Sequence, residues 1–151
     1  MSTQTGQKIT PIVSSSTAGP LGAVHLPRLW AKLTLGNAGV LADGYDFCGA
    51  GFDQMTIDNL NLKKDRVLAY VRDNKPTYSQ FEQWVAAENG GSIAPDVIKR
   101  HNASIHGYNH SDELGAKMRA SSGIRDAGVK DAVTLNTLED LDELHSTVTK
   151  H

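Results

Sequence analysis

The sequence predicts a mostly α-helical, compact single domain of six or seven short helices with an extended N-terminal arm. Apolar residues recur at helical spacing in several segments that glycine or proline separates. Hydrophobic residues make up 39% of the chain and charged residues 21%, which are ordinary fractions for a folded protein. The 151 residues are enough for one domain with a buried core.

The N-terminal arm, residues 1–24, is rich in serine, threonine and glycine and shows no helical period. We expect it to be disordered or to lie against a partner subunit, with a short strand within KITPIV. Only Ile9, Ile12 and Val13 could anchor it through apolar contacts. We therefore expect the helical domain, residues 25–151, to fold without the arm, and the arm makes the chain a candidate homo-oligomer.

Helix starts are indicated by residues that suit the first turn. Pro27 fits a helix that begins at Leu26, because the first turn needs no N–H from it. Thr77 and Gln80 have capping-box spacing at the start of a later helix. Further helices are expected over 52–62, over 63–74, from Pro95 to Gly107, from the N-cap Ser111, and from the N-cap Thr137 after an irregular segment over 123–136.

Composition excludes several classes of function. The net charge is −2 and the basic residues are scattered, which disfavours nucleic-acid binding. No apolar run is long enough to cross a bilayer, and the N-terminus lacks the signal-peptide pattern, so a cytoplasmic location is expected. Cys48 is the single cysteine, so neither an internal disulfide nor a cysteine-based zinc site is expected.

Four segments resemble a bacterial family classified only as domain of unknown function five-zero-six-nine. They are HLPRLWAK at 25–32, LADGYDFCGAGFDQMTIDNL at 41–60, PTYSQFEQWV at 76–85 and LNTLEDLDE at 135–143. The resemblance implies a small, mostly helical bacterial protein and brings no activity, cofactor or substrate with it. The family pattern has an acidic residue where this chain has Ala31, and His106 and His110 look like additions in this chain.

A histidine-rich stretch, HNASIHGYNHSDE, covers residues 101–113. His101, His106 and His110 are candidate metal ligands, but no HExxH or Cys/His spacing accompanies them. In the alternative interpretation the stretch is a polar loop, Ser111 caps the next helix, and acidic residues favour the positive end of that helix. We expect this alternative, with acid–base use of one of the histidines left open, and therefore no resident metal or other cofactor.

Two groups of residues suggest a small-molecule site. Arg28 and Lys32 are one helical turn apart and, with His25 just before the helix, could hold an anion. Tyr45 and Asp53 belong to a glycine-rich segment and could donate and accept a proton. The alternatives are solvated helix charges for the first group and a turn with a helix cap for the second.

We therefore expect a ligand site where the start of the first helix meets the loop from Gly44 to Asp53. The candidate catalytic residues are Tyr45, Asp53 and His25, and the candidate substrate-binding residues are Arg28, Lys32 and Tyr78. Three hypotheses remain open: a cofactor-independent lyase, isomerase or hydrolase acting on a small polar or anionic molecule; a non-catalytic interaction module or homo-oligomer subunit; and a histidine-ligated metal protein. They differ in whether these residues line one concave pocket.

Overall fold

The computed structural model describes residues 7–149, and seven α-helices form the fold in that range. In that range no helix is both long and apolar enough to cross a membrane, and β-structure is limited to two isolated bridges. The helices are α1 (Leu26–Asn37), α2 (Phe52–Asn59), α3 (Lys64–Asn74), α4 (Tyr78–Glu88), α5 (Pro95–His106), α6 (Asp112–Ser122) and α7 (Ala132–Thr149).

Helix α1 is central because two of its faces are buried. Leu26, Leu29 and Leu33 lie on one face and pack into the main hydrophobic core, which α2, α3 and α4 complete. The adjacent face carries Arg28 and Lys32, which are also buried. A helix with apolar residues on one face and charges on the next must receive both an apolar and a polar neighbour.

A second, smaller apolar cluster joins α2, α5 and α7. It consists of Val24, Phe52, Ile105 and Ala132, all buried. Contacts between α6 and α7, and between α5 and α7, complete this end of the molecule. The cluster therefore holds the C-terminal helix against the body formed by α1 to α5.

Most of the predicted helix starts are confirmed. Thr77 and Gln80 form a full capping box, in which each side chain bonds the backbone N–H of the other residue. The hydroxyl of Ser111 accepts a hydrogen bond from the backbone N–H of Leu114 and so caps α6. Pro27 lies in the first turn of α1, as predicted.

The predicted start of the last helix is wrong. Helix α7 begins at Ala132, not after Thr137. The carboxylate of Asp131 accepts a hydrogen bond from the N–H of Thr134 at 2.9 Å and therefore serves the first turn. The hydroxyl of Thr137 instead donates to the carbonyl of Val133 at 2.8 Å, a bond that threonine commonly makes inside a helix.

Residues 7–24 of the arm lie on the helices of their own chain, a placement that the sequence pattern does not indicate. Instead of a strand, the arm forms one parallel bridge between Ile9 and Leu41. Its later part is attached by side chains of the body: the N–H of Leu21 donates to Glu82 and that of Val24 to Asn102. Polar side chains of the body thus fix an arm that has few apolar residues of its own.

We predict that a chain starting at Ala23 retains its helices but melts several degrees lower than the full chain. The truncation removes Leu21, which packs against the core, and the arm's hydrogen bonds to α1, whereas the buried Ala23 and Val24 remain. Circular dichroism during heating measures both quantities. Loss of cooperative melting would show that the arm is part of the folding core.

Candidate functional site

A pocket of about 240 Å³ lies where α1, α2 and α7 meet the loop before α2 and the segment over 108–110. It is smaller than the roughly 300–1,000 Å³ typical of pockets for drug-sized ligands. Larger hollows elsewhere, such as one of about 500 Å³ between α6 and α7, have mostly exposed or half-buried linings. The residues that line the pocket are His25, Arg28, Lys32, Gly44, Tyr45, Asp46, Gly49, Gly51, Phe52, Asp53, Met55, Tyr108, His110, Ala132, Asn136 and Glu139.

Five of the six expected site residues line this pocket, and Tyr78 does not. The hydroxyl of Tyr78 donates to Glu82 one helical turn away at 2.7 Å, and its ring packs edge-on against Trp30. Burial, together with the Glu82 carboxylate, raises the pKa of Tyr78 well above its usual value. Tyr78 therefore supports the packing of α4 on α1.

The carboxylate of Asp53 is the centre of the first buried network. Its Oδ1 accepts a hydrogen bond from His25 Nε2 at 2.7 Å, and its Oδ2 accepts from Lys32 Nζ at 2.5 Å and from the N–H of Gly49 at 2.8 Å. Burial alone would raise the pKa of Asp53, but the His25 hydrogen bond and the Lys32 charge outweigh it and lower the pKa to about 2. Asp53 is thus a fixed anion and a poor base.

His25 uses both ring nitrogens inside the protein. Burial lowers its pKa, so the ring is neutral at pH 7; Nε2–H donates to Asp53, and Nδ1 accepts from Ser15 Oγ at 2.9 Å. The backbone of His25 is left-handed, with φ of 68°, a conformation that costs a non-glycine residue about 1–3 kcal/mol. Hydrogen bonds connect Ser15 to His25 and His25 to Asp53, the order found in a serine catalytic triad. Ser15 is only 2% exposed and lies outside the pocket lining, however, so a ligand in the pocket cannot reach its hydroxyl as a nucleophile.

A second buried network surrounds Asp140, a residue that its sequence pattern does not assign to the site. Its carboxylate accepts two hydrogen bonds from Arg28, at 2.6 and 3.1 Å, and one from the Tyr45 hydroxyl at 2.9 Å. The same guanidinium donates to the carbonyls of Pro11 and Val13 in the arm. Arg28 therefore joins the arm, α1 and α7, and its positive charge is already paired with a buried carboxylate.

The hydroxyl proton of Tyr45 points at Asp140, so the phenol oxygen offers only lone pairs to a ligand. Burial and the neighbouring Asp140 carboxylate both raise the pKa of Tyr45 above its usual value. Tyr45 consequently stays protonated and accepts, rather than donates, a hydrogen bond on the pocket side.

The opposite wall comes from Tyr108, His110, Asn136 and Glu139. Backbone hydrogen bonds between 108–110 and 130–132 hold this segment against the start of α7. His110 Nε2 bonds Asn136 Oδ1 at 3.0 Å, which leaves Nδ1 of the ring available. Glu139 lines the pocket but is exposed, and it has no hydrogen-bond or ion-pair partner within residues 7–149; partial burial and the nearby Asp140 carboxylate raise its pKa. The Glu139 carboxylate and Nδ1 of His110 are therefore both free to exchange a proton or a hydrogen bond with a ligand.

The three candidate metal-binding histidines have separate environments. His101 is buried between the carbonyl of Val24, at 2.8 Å, and the side chain of Asn59, at 3.1 Å, and burial lowers its pKa. His106 is exposed at the end of α5, and His110 lines the pocket. Across residues 7–149, no group of three or more His, Cys, Asp or Glu side chains is arranged to hold a metal ion.

No family model matches the chain, and no curated protein matches it. The resemblance to domain of unknown function five-zero-six-nine stays a prediction. The function of the chain is therefore inferred from the geometry of the pocket.

We predict that Asp53→Asn lowers the free energy of unfolding at pH 7 by about 3–5 kcal/mol, because it leaves the Lys32 ammonium buried without a counter-charge. The loss should shrink as the pH falls from 3.8 towards about 2. Over this interval the unfolded Asp53 of the parent binds a proton that the folded carboxylate does not, so the parent loses that stability. Urea denaturation at several pH values measures both effects.

Asp73→Asn is the matched control, since Asp73 pairs with Arg72 on the exposed surface of α3. Water and salt screen such a pair, so we expect no measurable change in stability. Equal losses for the two variants would show that the Asp53 network does not anchor the fold.

Proposed function

We propose that the protein binds a small polar molecule in this pocket and transfers a proton to or from it without a redox cofactor. The observation that supports the proposal is that two buried ion-pair networks, around Asp53 and Asp140, meet at one small pocket. Buried ion pairs rarely add net stability over well-packed apolar side chains. Two of them beside a cavity are typical of a site that needs fixed charges and perturbed pKa values.

One wall of the pocket is proposed to orient the ligand. His25, Asp53 and Arg28 are held by protein groups and act as positioning residues. Lys32 donates one hydrogen bond to Asp53, and its other N–H groups can reach a polar atom of the ligand. The oxygen of Tyr45 accepts a hydrogen bond from the ligand.

The other wall is proposed to move the proton. The raised pKa of Glu139 makes its carboxylate a better proton acceptor than an ordinary glutamate, which suits it to take a proton from the ligand and return it. Nδ1 of His110 can take up a proton in return. Lyases, isomerases and hydrolases that act without a cofactor share this need for a paired acid and base, so these classes are the candidates.

The proposal predicts that the parent protein binds small polar metabolites in saturation-transfer NMR and converts one of them, or exchanges its C–H protons in D₂O. Glu139→Gln should still bind the metabolite, at most several-fold more weakly, but slow the conversion or exchange by at least about 100-fold, because the variant lacks the carboxylate that carries the proton. Glu143→Gln removes a carboxylate one turn further along α7, outside the pocket lining, and should behave like the parent. Unchanged rates in Glu139→Gln would contradict the assigned role.

A second candidate function, an interaction module, is favoured by an apolar stripe on α7. Leu141, Leu144 and Val148 lie at helical spacing and are 40–57% exposed. We take a second copy of the chain as the partner, since such a stripe can pair with its own symmetry mate. Sedimentation should then show a dimer that Leu144→Lys dissociates; a monomeric parent would remove this candidate.

A further inference from the structure

Four aromatic rings form a continuous wall of the pocket. His25 packs edge-on against Phe52 with ring centroids 5.4 Å apart, Phe52 against Tyr108 at 5.6 Å, and Tyr108 against His110 at 6.2 Å. All four line the pocket. His25, just before α1, and Phe52 in α2 are only 2% and 9% exposed, so Tyr108 and His110 supply most of the aromatic surface that a ligand can touch.

The pocket lining carries more negatively than positively charged side chains. Arg28 and Lys32 line it, but each is already paired with a buried carboxylate. Three carboxylates line it, and two of these, Asp46 and Glu139, have no hydrogen-bond or ion-pair partner in the part of the chain that the structure describes. The lining as a whole is therefore negative, and its unpaired charges are anionic.

We propose that the pocket takes a compact organic ammonium ion, a protonated amine or a quaternary ammonium group, with its charge between the aromatic wall and Glu139. This inference rests on the proposed function and names its ligand class. Aromatic rings within about 6 Å attract such cations through their negative faces, and a carboxylate adds its own attraction. A cavity of about 240 Å³ limits the ligand to a small molecule.

An anionic ligand fits this geometry less well. One guanidinium nitrogen of Arg28 already donates to three oxygens, and the other donates to Asp140. The charges of Arg28 and Lys32 are already neutralised by Asp140 and Asp53, so an anion would meet a lining that is negative overall. Drawing either cation away from its partner would leave a carboxylate buried without its counter-charge. Breaking such a pair is strongly unfavourable, whereas an ammonium ion leaves both pairs intact.

Three probes of nearly the same shape test the inference: tetramethylammonium, tert-butanol and pivalate. Each is titrated into the ¹⁵N-labelled full chain while the backbone amide shifts of 44–53, 108–110 and 136–140 are followed. We expect tetramethylammonium to bind at least about tenfold more tightly than the other two, since shape is matched and only charge differs. Tighter binding of pivalate, or equal binding of all three, overturns the inference but leaves a polar-ligand pocket.

Variants separate charge recognition from the shape of the pocket. Glu139→Gln and Tyr108→Leu should each weaken tetramethylammonium binding by about fivefold while tert-butanol binding stays unchanged, because only the cation uses the charge and the ring. Tyr108 is 46% exposed, so its replacement opens no large cavity in the core. Glu143→Gln is the control and should match the parent. No shift at the pocket amides with any probe overturns both this inference and the proposed function.

Discussion

The architecture depends on neutralising two cations that are buried on one face of α1. Arg28 is 7% exposed and Lys32 is 8% exposed, and a buried charge without a partner costs several kcal/mol. Asp53 therefore comes from α2 and Asp140 from α7 to meet them. These two contacts fix the positions of both helices relative to α1, and the space left between them is the pocket.

The helices were predictable because the residues that determine where a helix forms and begins lie within the helix itself or next to it. Apolar spacing, the capping box at Thr77 and the cap at Ser111 each depend on residues within one or two turns. The start of α7 was misjudged because two polar residues, Asp131 and Thr137, can each serve as a helix cap, and the local pattern does not choose between them. The packing of Ala132 in the second apolar cluster favours the earlier start.

The site was predictable only where its residues are close in sequence. His25, Arg28 and Lys32 share one face through helical spacing, and Tyr45 and Asp53 belong to the following loop and helix. Glu139 and Asp140, by contrast, belong to the acidic segment LNTLEDLDE at 135–143. Such a pattern is equally typical of a helix whose acidic side chains face solvent, so it does not indicate a site. Tyr78 lies elsewhere because Glu82, one turn along its own helix, is a nearer partner than any group in the pocket. Asp140 is buried by its contacts with Arg28 and Tyr45, whereas the neighbouring Glu139 is exposed at the pocket, and only tertiary contacts distinguish the two.

The contact between Arg28 and Asp140 spans 112 residues of sequence. Loop-closure entropy rises by only about 0.6 kcal/mol for each doubling of loop length, so the order of assembly depends mainly on the order of synthesis, in which α1 to α5 and the main core precede α7. During synthesis from the N-terminus, the core can therefore form while α7 is still being made, and the pocket is absent until the last helix arrives. A chain that is released or cut before Asp140 would contain every residue of the main core and yet lack the complete pocket.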